Sequence, residues 1–105
     1  MFDDDLEDEL EQKHRHLQAR LREKARKEFI EGCYTAYGIL ERDGERALQQ
    51  GDLGSICRAI NRMMSLFLVR EEYERCLFLK RYVEQHIPGH AIEPDPLVDR
   101  QLNEV

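Results

Sequence analysis

The chain has 105 residues, with 22 acidic side chains against 16 basic ones and a net charge of −6. Charged residues make up 36% of it and apolar residues 41%, with 6 Gly, 3 Pro and no Trp. This composition excludes collagen-like, disulfide-scaffold and low-complexity chains, and the short length leaves little room for a deep catalytic pocket beside a core.

No run of 18 apolar residues occurs, so no membrane span is expected. The acidic start, Met1-Phe2-Asp3-Asp4-Asp5, does not suit a secretory signal. The three cysteines, Cys33, Cys57 and Cys76, have no CxxC spacing. They read as buried, reduced thiols of an intracellular, cytoplasmic protein. Overall acidity argues against general nucleic-acid affinity.

Apolar residues are unevenly placed: 8 of 28 positions in 1–28, 29 of 59 in 29–87 and 6 of 18 in 88–105. Three zones follow: a charged helical extension over 1–28, a helical core domain over 29–87 and an irregular tail over 88–105. The extension is split by sign. Residues 3–11 carry seven acids and no base, whereas 13–27 carry seven bases and one acid, Glu23. Good helix formers dominate, and no Pro or Gly occurs before Gly32. The pattern predicts a long charged helix from about Asp5, with acids favouring the dipole and Asp3, Asp4 or Asp5 as N-cap. Its apolar stripe is thin: Leu6, Leu10, Leu17, Leu21, Ala25 and Phe29, with His14 in the gap, about two heptads of seam.

From Phe29 the stripe broadens through Ile30, Cys33, Tyr34, Tyr37 and Leu40. Gly32 and Gly38 within it point to close helix approach or a kink. Asp43-Gly44 is a stop signal, residues 45–50 suit one or two further turns, and Gly51–Gly54 reads as a loop. Asp52 or Ser55 then caps the strongest helix. Leu53, Ile56, Cys57, Ile60, Met63, Met64, Phe67 and Leu68 form its apolar stripe, with Arg58, Asn61, Arg62 and Ser65 on the polar face. A tight turn is expected at Val69-Arg70-Glu71. The last helix places Tyr73, Cys76, Leu77, Lys80, Val83 and Ile87 on its stripe, and Phe78, Leu79 and Tyr82 make it apolar nearly all round. Pro88-Gly89 ends it. Asp95-Pro96 can open a short helix with Leu97, Val98 and Leu102 as contacts. The fold class is therefore all-α: a long charged N-terminal helix followed by a small antiparallel helical bundle or hairpin.

Residues that carry chemistry do not assemble in this pattern. His14 and His16 are two apart and point to different helix faces, and Pro88-Gly89 separates His86 from His90. The cysteines lie on three separate helices, and apolar neighbours would raise the Cys76 pKa rather than activate it. Asp3-Asp4-Asp5 lacks the spacing of a calcium loop. The expectation is no enzyme, no metal and no cofactor. Two binding readings remain. In the first, Met63, Met64, Phe67, Phe78 and Tyr82 form an adhesive face for a protein partner or homodimer, with the charged helix setting register. In the second, Lys13, Arg15, Arg20, Arg22, Lys24, Arg26 and Lys27 contact nucleic acid phosphates. No aromatic residue interleaves those bases. The acidic block beside them can instead pair with the basic block of a neighbouring antiparallel chain.

The segment Glu71-Glu72-Tyr73-Glu74-Arg75-Cys76-Leu77-Phe78-Leu79-Lys80 resembles the second half of the UVR helical hairpin, a protein-interaction motif of excision-repair subunits and some chaperone adaptors. Cys76 and Leu77 replace that motif's small pair, and Arg81 stands where an acid is typical. The same residues resemble one helix of a tetratricopeptide-like pair. Either resemblance implies a helical hairpin whose task is to contact another protein.

Overall fold

The computed structural model describes residues 2–95 and Val98, with side chains from Leu6 onward. The described residues are all-α and contain no strand. Helix α1 runs Phe2–Asp43, a short 3-10 helix follows over Gly44–Gln49, α2 spans Leu53–Val69 and α3 spans Tyr73–His86. At about 1.5 Å per residue, the 42 residues of α1 extend about 63 Å and set the molecule's 68 Å long dimension.

The backbone of α1 is already helical at Phe2, earlier than Asp5. The N-cap expected of Asp3, Asp4 or Asp5 concerns side chains outside the described ones. The helix passes Gly32 and Gly38 without a break. A Cβ at either would meet nothing within 4 Å, so neither glycine serves a close approach among the described residues. Gly44, at φ +56, ends α1 in the left-handed conformation that glycine adopts without steric cost.

Only the last third of α1 belongs to the bundle. Tyr34 of α1 meets Glu72 at the start of α3, Tyr37 meets Phe78, and the Tyr82 hydroxyl donates to the Gly44 carbonyl at 2.8 Å. These pairings advance together along both elements, so α1 and α3 run parallel. Phe67, near the end of α2, lies against Tyr34 and Tyr37, so α2 runs antiparallel to both. The core is Cys33, Tyr37 and Leu40 of α1, Ala47, Ile60, Met63, Leu66 and Phe67, then Cys76, Leu79, Tyr82, Val83 and Ile87.

Helix α2 starts one residue after Asp52, whose carboxylate accepts from the Ser55 N–H at 3.2 Å. Asp52 is thus the N-cap, satisfying a donor that the helix leaves open, and the expected loop shortens to Gly51-Asp52. At the other end, Glu72 N–H donates to the Phe67 carbonyl and Glu71 N–H to the Leu68 carbonyl. This is a Schellman closure with Glu71 in the left-handed position, φ +58. The turn is therefore where the phase break in the sequence places it.

The tail is irregular from Ile87 to Asp95 but tightly placed. It runs along α2 on the face expected to be solvated. Ser65 is buried, its hydroxyl donating to the Asn61 carbonyl at 3.1 Å and accepting from the Asp95 N–H at 2.6 Å. The Asn61 side-chain oxygen accepts from the Glu93 N–H at 3.2 Å and lies 3.1 Å from His90 Nε2. Ile92 packs on the core and Val98 is buried. Asn61 and Ser65 are polar because they bind a backbone, and a polar residue on a helix face does not by itself mean solvent. Leu97 and Leu102 lie outside the described residues.

Candidate functional site

The adhesive face expected from the sequence is divided by the fold. Met63 is 2% exposed, Phe67 0% and Tyr82 3%, so these three fill the monomer's own core. Phe67 holds the centre: its ring lies 5.5 Å from that of Tyr34 and 5.3 Å, edge-on, from that of Tyr37. The Arg75 guanidinium covers the cluster at 5.0 Å from Tyr37 and 5.8 Å from Phe67. Around it, the Tyr34 hydroxyl donates to Glu72 at 2.7 Å and accepts from Arg70 at 3.0 Å. Only Met64 and Phe78 of the expected five are half-buried and reach the surface. The cause is simple: large apolar side chains on α2 and α3 go inward wherever a neighbouring helix can cover them.

Among the described residues, Leu53, Leu68 and Val69 are exposed singly or in pairs, and two more extended apolar surfaces stand open. The first is a groove of about 590 Å³ between α2, α3 and the tail, walled by Met64, Tyr73, Leu77, Ile92 and Pro94, with Lys80 and Glu84 at its rim. Of the stripe expected for α3, Cys76, Val83 and Ile87 face inward, whereas Tyr73, Leu77 and Lys80 are exposed, and Leu79 and Tyr82 complete the buried side instead.

The second is the arm of α1 ahead of the bundle. Every side chain described from Leu6 to Glu28 is exposed. Leu6, Leu10, Leu17 and Leu21 are each 55–57% exposed. At about 100° per residue, the four fall within an arc of about 60°, while Cys33, Tyr37 and Leu40 face roughly the opposite side of the helix. The chain's own bundle therefore cannot cover them. The seven bases do not form one patch. By the same rotation, Arg15, Arg22 and Arg26 occupy one side of the helix, whereas Lys13, Arg20, Lys24 and Lys27 flank the leucines. Lys13 pairs with Glu9 at 3.5 Å and Lys24 with Glu28 at 3.9 Å, both exposed i, i+4 pairs.

The titratable core groups are arranged for packing. Burial pushes the Cys33 thiol up to about 11, and burial also raises Cys76, Tyr37 and Tyr82 above their ordinary values. A thiol held protonated is a poor nucleophile. His86 lies against the Tyr82 ring at 4.6 Å while His90 turns to Asn61, so the two histidines part. Among the described residues, no three His, Cys, Asp or Glu side chains converge as metal ligands, and no helix is long and apolar enough to cross a membrane.

Neither the open arm nor the groove was singled out by the buried stripe that dominates the sequence. The signal for the arm was its thin leucine stripe, and for the groove the two apolar residues Tyr73 and Leu77 on an all-round apolar helix. Comparison of the chain with protein-family models, with curated proteins and with solved structures returns no match.

Proposed function

We propose that this chain is a non-catalytic protein-interaction protein, an adaptor or regulator that acts as an oligomer through exposed helical surface. The observation that supports this reading is the arm: four leucines stand half-exposed along one arc of a helix the bundle does not touch. Apolar side chains aligned along one helix face are the anchor pattern of helices that another chain covers. The dense charge flanking them supplies orientation and partner choice more than affinity. Met64 and Phe78 are the members of the sequence-derived face that stay available, and the groove beside Met64 adds Tyr73 and Leu77.

The test is affinity capture from native lysate with the wild-type chain and a Leu10→Glu/Leu17→Glu variant, each with and without nuclease. A stoichiometric protein that survives nuclease and is lost with the leucine variant is the expected result. Retention by the variant would remove the arm from the reading. Recovery lost on nuclease treatment, with affinity falling steeply with salt, would instead favour the basic residues and a nucleic-acid-associated regulator.

A further inference from the structure

We infer that the α1 arm pairs with the arm of a second copy of this chain, antiparallel, in the register where residue numbers across the pair sum to 27. The inference rests on the interaction reading above and names its partner. Three observations meet in that register.

The first is the leucine spacing. Leu6 falls opposite Leu21 of the second copy and Leu10 opposite Leu17, with each pairing repeated by symmetry. The set 6, 10, 17, 21 is symmetric about its midpoint between Lys13 and His14, so no other antiparallel register aligns all four. The second is charge. The same register lays the acidic block 3–11 against residues 16–24, which carry Arg20, Arg22 and Lys24 against one acid, Glu23. On one flank of the seam Glu9 approaches Arg20 of the second copy, while Arg15 and Arg22 stay on the far side of the helix. A parallel, in-register pair would set acid on acid and base on base along its whole length. The third is room. The paired stretch, 6–21 in each copy, lies ahead of Phe29, where partly buried side chains begin. The two bundles then sit at opposite ends of the pair, with their grooves free.

The leucines also repeat at 11 residues, Leu6 to Leu17 and Leu10 to Leu21. An 11-residue period is 3.67 residues per turn, which turns a pair slightly right-handed rather than left-handed. The pair is therefore close to two straight rods in contact over about four turns.

The test uses the full chain. Sedimentation equilibrium of the wild type should give twice the chain mass with mass-action dissociation on dilution. The Leu10→Glu/Leu17→Glu variant should give the single mass with an unchanged near-ultraviolet tyrosine signal, since neither leucine touches the bundle. Orientation is read by oxidising an equimolar mixture of Leu10→Cys and Leu17→Cys chains. Antiparallel pairing brings position 10 within disulfide reach of position 17, so mixed 10–17 cross-links should dominate peptide mapping. Cross-links of 10 to 10 and 17 to 17 would overturn the orientation. A wild type that is monomeric at every concentration, or a dimer indifferent to the leucine variant, would overturn the pairing. A monomeric wild type whose leucine-dependent capture of another protein persists would leave the broader interaction reading standing while removing this one.

Discussion

Replacing Phe67 by alanine separates a core anchor from a docking residue. The ring is fully buried and contacts rings on α1 at 5.5 and 5.3 Å, with Arg75 across it. Truncating such a ring typically costs about 3–5 kcal/mol, because the transfer term and the cavity add. For a folded unit of 60–100 residues, 1 kcal/mol moves Tm by about 4–8 °C, so Phe67→Ala should lower it by roughly 12–40 °C. Phe67→Leu keeps most of the volume and loses two ring pairs, each about 0.5–1.5 kcal/mol, so it should cost about 1–3 kcal/mol. The assay is near-ultraviolet circular dichroism on heating, which reads the packed tyrosines and ignores the arm. An alanine variant within about 1 kcal/mol of wild type would refute the placement of Phe67 at the centre of the core, since even the cheapest buried phenylalanine truncation exceeds that.

Three further outcomes are expected. Gly32→Ala and Gly38→Ala each add a Cβ into open space on α1, so each should stabilise by about 0.5–1 kcal/mol in urea unfolding; a destabilised variant would mean a contact at that position. Asn61→Ala and Ser65→Ala remove the acceptors of the Glu93 and Asp95 amides, and hydrogen exchange of those amides should accelerate while α3 stays protected; unchanged tail protection would contradict the anchoring. Stability should fall with pH above about 9: the Cys33 thiol ionises at about 11 folded against an ordinary 9.0, so between these values the unfolded chain holds fewer protons. Tyr37 and Tyr82, raised above 10.0 by burial, act in the same direction. Urea midpoints at pH 8, 9, 10 and 11 measure the slope, and Cys33→Ala should flatten its first part.

The parts of the fold legible in the sequence are those where one local signal decides the outcome. Asp52 caps α2 because a side-chain oxygen three residues ahead of Ser55 is enough to satisfy an open N–H. Gly44 ends α1 because the left-handed conformation there suits glycine. The α2 stripe is read correctly at Ile60, Met63 and Phe67 because period and burial agree. Where several arrangements share one pattern, the sequence is silent. Helix α3 is apolar on most sides, so its rotation is set by what α1 and α2 offer, and Tyr73 and Leu77 turn outward as Leu79 and Tyr82 turn in. Asn61 and Ser65 look like a solvated face until a tail 30 residues later brings backbone amides to them. For the candidate site the same ambiguity held: a Met and aromatic stripe at helical spacing serves equally as core or as interface. Here the core claimed Met63, Phe67 and Tyr82, leaving Met64 and Phe78 at the edge.

The arm then asks for an energetic account different from that of the bundle. Leu10 contributes nothing to packing within one chain, and alanine is the better helix former, so Leu10→Ala should leave the monomer's helix and its bundle unchanged. In the antiparallel pair the same substitution truncates two covered leucines, one in each copy. Each is 56% exposed in the single chain, and covering that part of a leucine is worth about 1 kcal/mol. The pair should therefore weaken by about 2 kcal/mol, roughly thirtyfold in Kd. Gln12→Ala, on the far side of the helix, should change neither quantity. Salt supplies an independent sign. At about 0.15 M the screening length is about 8 Å, so raising salt weakens the acid-to-base alignment of antiparallel arms. It would strengthen parallel arms, whose blocks repel. A dimer that tightens with salt would therefore contradict the antiparallel register even if Leu10→Ala weakened it thirtyfold.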